Sequence, residues 1–208
     1  MKLILASDLS FLLKYGFDLA GIPKDQIKIG YVITATKRVR THQDFFENVK
    51  KTLREDGYFL EDIDIEGKNK EELKNFFSDK NIVYVEGGNT FYLLKIVRET
   101  GFGEVVKELL EEGIVYIGVS AGAYLMCPTI EVSDWNDETV DRFGITDFTA
   151  LNYVPFILKA HYKDKAEAEI KERAKTLKYP LRILKDGQGI LVEDGTYRFI
   201  GDGEEVFL

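Results

Sequence analysis

The stretch Gly118-Val119-Ser120-Ala121-Gly122 spaces a serine between two glycines in a G-x-S-x-G pattern. Ser120 ends the apolar run "VYIGV" and stands where "AGAYLM" can begin a helix, the strand-to-helix turn that presents a nucleophile above a sheet edge. Gly118 and Gly122 remove side chains where strand and helix approach. The N–H groups opening the next helix point back at the serine, where they and the helix dipole can stabilise an oxyanion. Without a base the same residues would be an inert glycine-rich turn. The chain has two histidines, His42 and His161. His42 follows "TKRVRT" among charged residues and reads as solvated. His161 ends the apolar stretch "VPFILKA", at the carboxyl end of a strand, where ligands of open α/β sheets collect. An acid should orient the imidazole. The segment 128–141 offers Glu131, Asp134, Asp137, Glu138 and Asp141. The order would be serine, acid, histidine, as in α/β-hydrolases, but the 41 positions from Ser120 to His161 leave little room for the elements of that fold.

A second loop, "VEGGNTFYLL" (85–94), also follows a strand and opens a helix. Gly87 and Gly88 leave backbone N–H groups open to an anion, and Asn89 or Thr90 can cap the helix. Neither G-x-x-x-x-G-K-[ST] nor G-x-G-x-x-G occurs, so the loop suits an oxyanion beside Ser120 better than a nucleotide phosphate. Gly87, Asn89 and Thr90 are candidate substrate contacts.

The elements that must hold these loops follow from periodicity. Apolar runs at 2–6, 27–35, 81–87 and 113–120 read as strands, mostly continuous in apolar character, as parallel strands covered on both faces are. Helical patterns separate them: one from Asp8 to Gly21, one at 42–57 with Phe45, Phe46, Val49 and Leu53 on one face, and three more within 69–79, 90–101 and 104–113. This alternation predicts an α/β fold with a mostly parallel central sheet flanked by helices. The last third changes character. A strand at 154–162 and a helix at 165–178 precede short β runs split by Asp-Gly pairs at 186–187, 194–195 and 202–203, which predict a C-terminal β meander at a sheet edge. With 208 residues and no linker, one domain over 1–208 is expected.

Composition narrows the function. The 45% hydrophobic and 12% aromatic content is core material, and the net charge of −8 disfavours nucleic acid as a partner. A single cysteine, Cys127, forms no intramolecular disulfide, fits a reducing cytoplasm and reads as core. No stretch has the length of a membrane span, and the opening apolar run of about four residues is shorter than a secretory signal core. The basic cluster at 34–41 reads as a solvated loop.

The segments "EGGNTF" (86–91), "GVSAGAYLMCPTI" (118–130), "VPFILKAHY" (154–162) and "LKDGQGILVEDG" (184–195) together resemble the dipeptidase E family, the aspartyl-dipeptidase-like serine peptidases that include cyanophycinase. The resemblance implies a fold like class I glutamine amidotransferases and a Ser–His–acid peptidase with no metal and no cofactor. By position Ser120 is the nucleophile, His161 the base, and Gly88 and Ala121 the oxyanion donors. Asp134 is taken as the acid, with Asp137 the alternative. The substrate class implied is a short peptide, Asp-X dipeptides in the family's aspartyl-selective members, with a homodimer as a possible assembly. Those members carry arginine and threonine in a Gly-containing loop after the histidine. Here "HYKDKAEAEIKERAK" supplies Lys163, Lys165 and Arg173, none in the matching position. An esterase using the same residues, and a binding protein that keeps the pocket without the chemistry, are the rival readings.

Overall fold

The computed structural model describes residues 1–39, 43–135 and 140–208. Nine strands appear among them: β1 (Lys2–Ala6), β2 (Lys28–Val32), β3 (Phe59–Ile63), β4 (Ile82–Val85), β5 (Val115–Val119), β6 (Ile157–Lys159), β7 (Leu181–Ile183), β8 (Gln188–Glu193) and β9 (Thr196–Gly201). Seven form one sheet in the order β3-β2-β4-β5-β1-β8-β9. The first five of that order are mutually parallel, and β8 and β9 add antiparallel strands beyond β1. The mostly parallel, helix-flanked sheet with closing antiparallel strands is the architecture that the strand–helix alternation predicts.

The four apolar runs become β1, β2, β4 and β5, the centre of the sheet. The strands β4 and β5 are buried at every residue, because helices cover both faces. One apolar layer holds Phe77, Phe91, Phe102 and Tyr116; the other holds Phe11, Tyr31, Tyr84 and Ile117. The edge strand β3 carries no such signal. Its Glu61 and Asp62 face water and pair with Lys80 and Lys50 across their neighbours. The turn between β8 and β9 is a two-residue hairpin whose Asp194 and Gly195 both have positive φ, the type I′ conformation that Asp-Gly favours.

Three expectations shift. The strand at 154–162 shrinks to β6, which leaves the main sheet and pairs in parallel with β7. The helix at 165–178 is a 3₁₀ turn at Asp164–Ala166 and a helix at Glu167–Ala174. The helix Gln43–Glu55 buries Val49 and Leu53 as expected, yet Phe45 is 52% exposed. His42 lies outside the described residues.

Candidate active site

The carboxyl ends of β2, β4, β5 and β1 stand side by side in the sheet, and the site is assembled on them. Ser120 follows β5 directly. Its N–H donates to Ala6 O of β1 at 3.0 Å, which fixes the turn between two strands. Its backbone sits at φ 47 and ψ −103, a strained conformation that a non-glycine residue keeps only when its surroundings enforce it. The glycines do the enforcing. A Cβ on Gly118 would stand 2.5 Å from the Gly122 carbonyl group, and one on Gly122 would stand 2.1 Å from Val85 O. The Tyr116 hydroxyl donates to Gly122 O at 2.7 Å and braces the turn from below. The helix that follows is one turn, Ala121–Tyr124, so its N-terminal N–H groups matter more than any macrodipole. Cys127 lies beyond it, buried in the core, and burial pushes its thiol up to about 12.

His161 comes to Ser120 from the small sheet. Its Nε2 is 3.1 Å from Ser120 Oγ. Tyr124, on the turn after the serine, accepts the Ala160 N–H on its hydroxyl at 3.0 Å and ties the two segments together. His161 itself has φ 57, a second strained residue.

The carboxylate against the imidazole is that of Asp186, a residue that by sequence belongs to an Asp-Gly turn. Asp186 Oδ1 is 2.7 Å from His161 Nδ1. The cause is strand pairing. Tyr162 N donates to Leu184 O and Leu184 N to Lys159 O, so the chain around β6 runs beside the end of β7 and brings 161 next to 186. Ser7, at the end of β1 and fully buried, accepts the His161 N–H at 3.0 Å and donates to Asp186 Oδ1 at 3.2 Å. Asp8 accepts the Gly187 N–H at 2.9 Å. Neither Ser7 nor Asp8 stood out in the sequence, although both follow the first strand directly.

Asp134 therefore does not occupy the position expected of it. It is buried, and its carboxylate is paired with the Arg142 guanidinium, away from the imidazole. Asp137 lies outside the described residues.

The expected oxyanion loop faces the serine. A Cβ on Gly87 would stand 3.4 Å from Ser120 Cβ and 4.0 Å from its Oγ. Gly88 has φ 140, and a Cβ there would meet Ala35 O at 2.4 Å, so only glycine fits. Among the described residues, neither the Gly88 nor the Ala121 N–H is bonded to another backbone group of the protein. Glu86 underlies the loop. Its carboxyl group accepts the Gly87 N–H at 2.7 Å and the Tyr31 hydroxyl, and burial pushes its pKa up. Asn89 serves the fold more than a ligand: its Oδ1 accepts the Tyr92 N–H as a helix cap and its Nδ2 donates to Asp141 O. Thr90 is buried in the first turn of that helix and is not part of the cleft wall.

The cleft over Ser120 measures about 1060 Å³ and includes Gly87, Gly88, Asn89 and His161 in its wall. Lys37 and Arg38, expected in a solvated loop, also line it. Among the described residues no three of His, Cys, Asp or Glu cluster as metal ligands, and no helix is long and apolar enough to cross a membrane.

A serine on a strained strand–helix turn, in hydrogen-bond reach of a carboxylate-bound histidine, defines the serine hydrolase class of site. The chain belongs to peptidase family S51, whose model matches residues 18–204, and is a serine-type peptidase of that family. It is 30% identical over 200 residues to an uncharacterized peptidase of Pasteurella multocida (strain Pm70), covering 94% of this chain and 95% of that one. It is 31% identical over 172 residues to peptidase E of a Nostoc species, covering 78% of this chain and 68% of the other. A crystal structure of a Listeria monocytogenes EGD-e protein, provisionally named peptidase E, superposes with a TM-score of 0.83 at 26% identity over 97% of this chain and 98% of the other.

Proposed function

We propose that the protein hydrolyses short peptides through an acyl-enzyme on Ser120, with His161 as general base and Asp186 as the acid that orients it. The observation that carries this reading is the continuous chain Ser120 Oγ–His161 Nε2, 3.1 Å, and His161 Nδ1–Asp186 Oδ1, 2.7 Å. An ionised carboxylate only accepts, so Asp186 holds the imidazole proton on Nδ1 and leaves Nε2 as acceptor toward the serine. Ser120 Oγ attacks the peptide carbonyl as its proton passes to Nε2. The Gly88 and Ala121 N–H groups hold the oxyanion, each worth about 3–4 kcal/mol where such donors have been removed in other enzymes. His161 then protonates the leaving amine, and water repeats the sequence to release the acyl group.

The same contacts favour chemistry over a binding role without catalysis, for a vestigial pocket has no need to keep a strained serine in register with a carboxylate-bound histidine. The lone buried cysteine supports a cytoplasmic setting. The test is turnover of a panel of unblocked dipeptides by wild type and by Ser120→Ala of unchanged melting temperature. Hydrolysis that is lost in the variant is expected; hydrolysis that survives it would refute the assignment.

A further inference from the structure

The wall of the cleft differs from what an acidic substrate needs. Phe45 and Phe46, on the first turn of the helix Gln43–Glu55, are turned toward the site and away from the core, with ring centroids 5.6 Å apart. Leu9, Val39, Val140 and Phe143 join them around the same cleft as Ser120. An exposed phenylalanine is costly to leave in water, and here the apolar side chains share one cleft with Ser120.

The cations of this wall are already engaged. Lys37 Nζ is 2.6 Å from Asp64 Oδ2 and also pairs with Glu66. Arg38 reaches Glu66 Oε1 at 4.0 Å and lies over the Tyr92 ring, 5.0 Å from its centroid. The cations that follow the histidine stay outside the lining. Lys163 and Lys165 do not reach it, and Arg173 pairs with Glu169 at 2.9 Å and lies over Trp135. The carboxylates of Asp8 and Asp141 do line it, beside the buried Glu86 that the Gly87 N–H and Tyr31 hydroxyl already engage. Among the described residues, a substrate carboxylate would enter this apolar surface with no uncommitted lysine or arginine in the wall to meet it, at a desolvation cost. An apolar side chain meets no such cost, and a substrate ammonium group has the Asp8 and Asp141 carboxylates in the same wall to offset its own.

From this we propose that the cleft selects short peptides with a free amino end and an apolar, preferably aromatic, side chain beside the scissile bond, and discriminates against aspartyl peptides. The inference rests on the peptidase reading for its catalytic half, and its test separates the two. Binding of Phe-Ala, Leu-Ala and Asp-Ala to the Ser120→Ala protein is measured by calorimetry, where no turnover intervenes. Phe-Ala is expected to bind roughly tenfold or more tighter than Asp-Ala, the scale of one apolar side chain gaining a pocket. Phe45→Ser, at a position too exposed to threaten the fold, should narrow that gap by about threefold by weakening Phe-Ala alone. Equal or tighter binding of Asp-Ala, or no binding of any of the three, overturns the proposal. So does a Phe45→Ser protein that keeps the gap but loses a dimer in sedimentation, for then the aromatic pair serves a second copy of the chain. Apolar selectivity in binding with no hydrolysis by wild type would uphold the cleft assignment and sink the peptidase reading; hydrolysis that prefers Asp-Ala would do the reverse.

Discussion

Replacing Asp186 by asparagine preserves the shape of the side chain and removes its charge. The His161 Nδ1–Asp186 Oδ1 contact is 2.7 Å, and the two side chains are 36% and 51% exposed. When the imidazole becomes a cation in the transition state, the two charge centres stand about 4 Å apart, which is worth about 1 kcal/mol in bulk water and about 4 kcal/mol near a protein surface. Half-exposure keeps the value within that interval. An asparagine can also donate to Nδ1, which favours the tautomer whose Nε2 carries the proton and cannot accept from Ser120. The expected loss in kcat/KM is therefore on the order of 10- to 1000-fold. Asp134→Asn is the matched control. It weakens the pair between the buried Asp134 carboxylate and the half-exposed Arg142 guanidinium, so its effect should fall on stability, with kcat/KM within about twofold of wild type. Both are read as initial rates on one peptide, with melting temperatures taken on the same samples. A collapse of kcat/KM in Asp134→Asn, with Asp186→Asn near wild type, would refute the reasoning.

Ser7→Ala removes the hydroxyl that accepts from His161 N and donates to Asp186; kcat/KM should fall about tenfold while KM changes little. Gly88→Ala forces a Cβ to within 2.4 Å of Ala35 O at φ 140, and a melting curve should show a loss of about 1–3 kcal/mol together with a drop in kcat as the oxyanion donor moves. Lys159 is buried on β6, and burial lowers its pKa to about 8 from 10.5. Between those values the unfolded chain binds the more protons, so unfolding free energy should rise as pH is raised from about 8 to 10.5, by up to roughly 3 kcal/mol. Denaturant titrations should show that rise in wild type and its reduction in Lys159→Met; an unchanged slope in the variant would exclude Lys159 as its source.

The strained serine turn was legible because its constraints are local. A serine at φ 47 needs bare backbone on both sides, and Gly118 and Gly122 announce that within five residues. His161 was legible by elimination between two histidines. Asp186 was not, since Asp186-Gly187 satisfies a purely local rule for turns, and its neighbours are set by β8 pairing with β1 across the length of the chain. The residues of 128–141 alone left the acid open; the family resemblance pointed to Asp134, whose carboxylate pairs with Arg142 instead. The central strands announced themselves through continuous apolar runs, whereas β3, with two acids in five residues, pairs only along one edge and carries no pattern to read. Phe45 and Phe46 fitted a core-facing stripe by spacing alone. Their helix opens at the cleft, so its first turn lines the cleft while Val49 and Leu53 further along reach the core, a fact of tertiary placement that periodicity does not hold.

The most direct test of the account is the site and rate of covalent trapping by a fluorophosphonate probe, mapped by mass spectrometry. Wild type should be modified at Ser120, Asp186→Asn should be modified there more slowly by about 10-fold or more, and Ser120→Ala should remain unmodified. Modification at another residue, or trapping of Ser120 at the wild-type rate in a folded His161→Ala protein, would contradict the claim that His161 and Asp186 activate this serine.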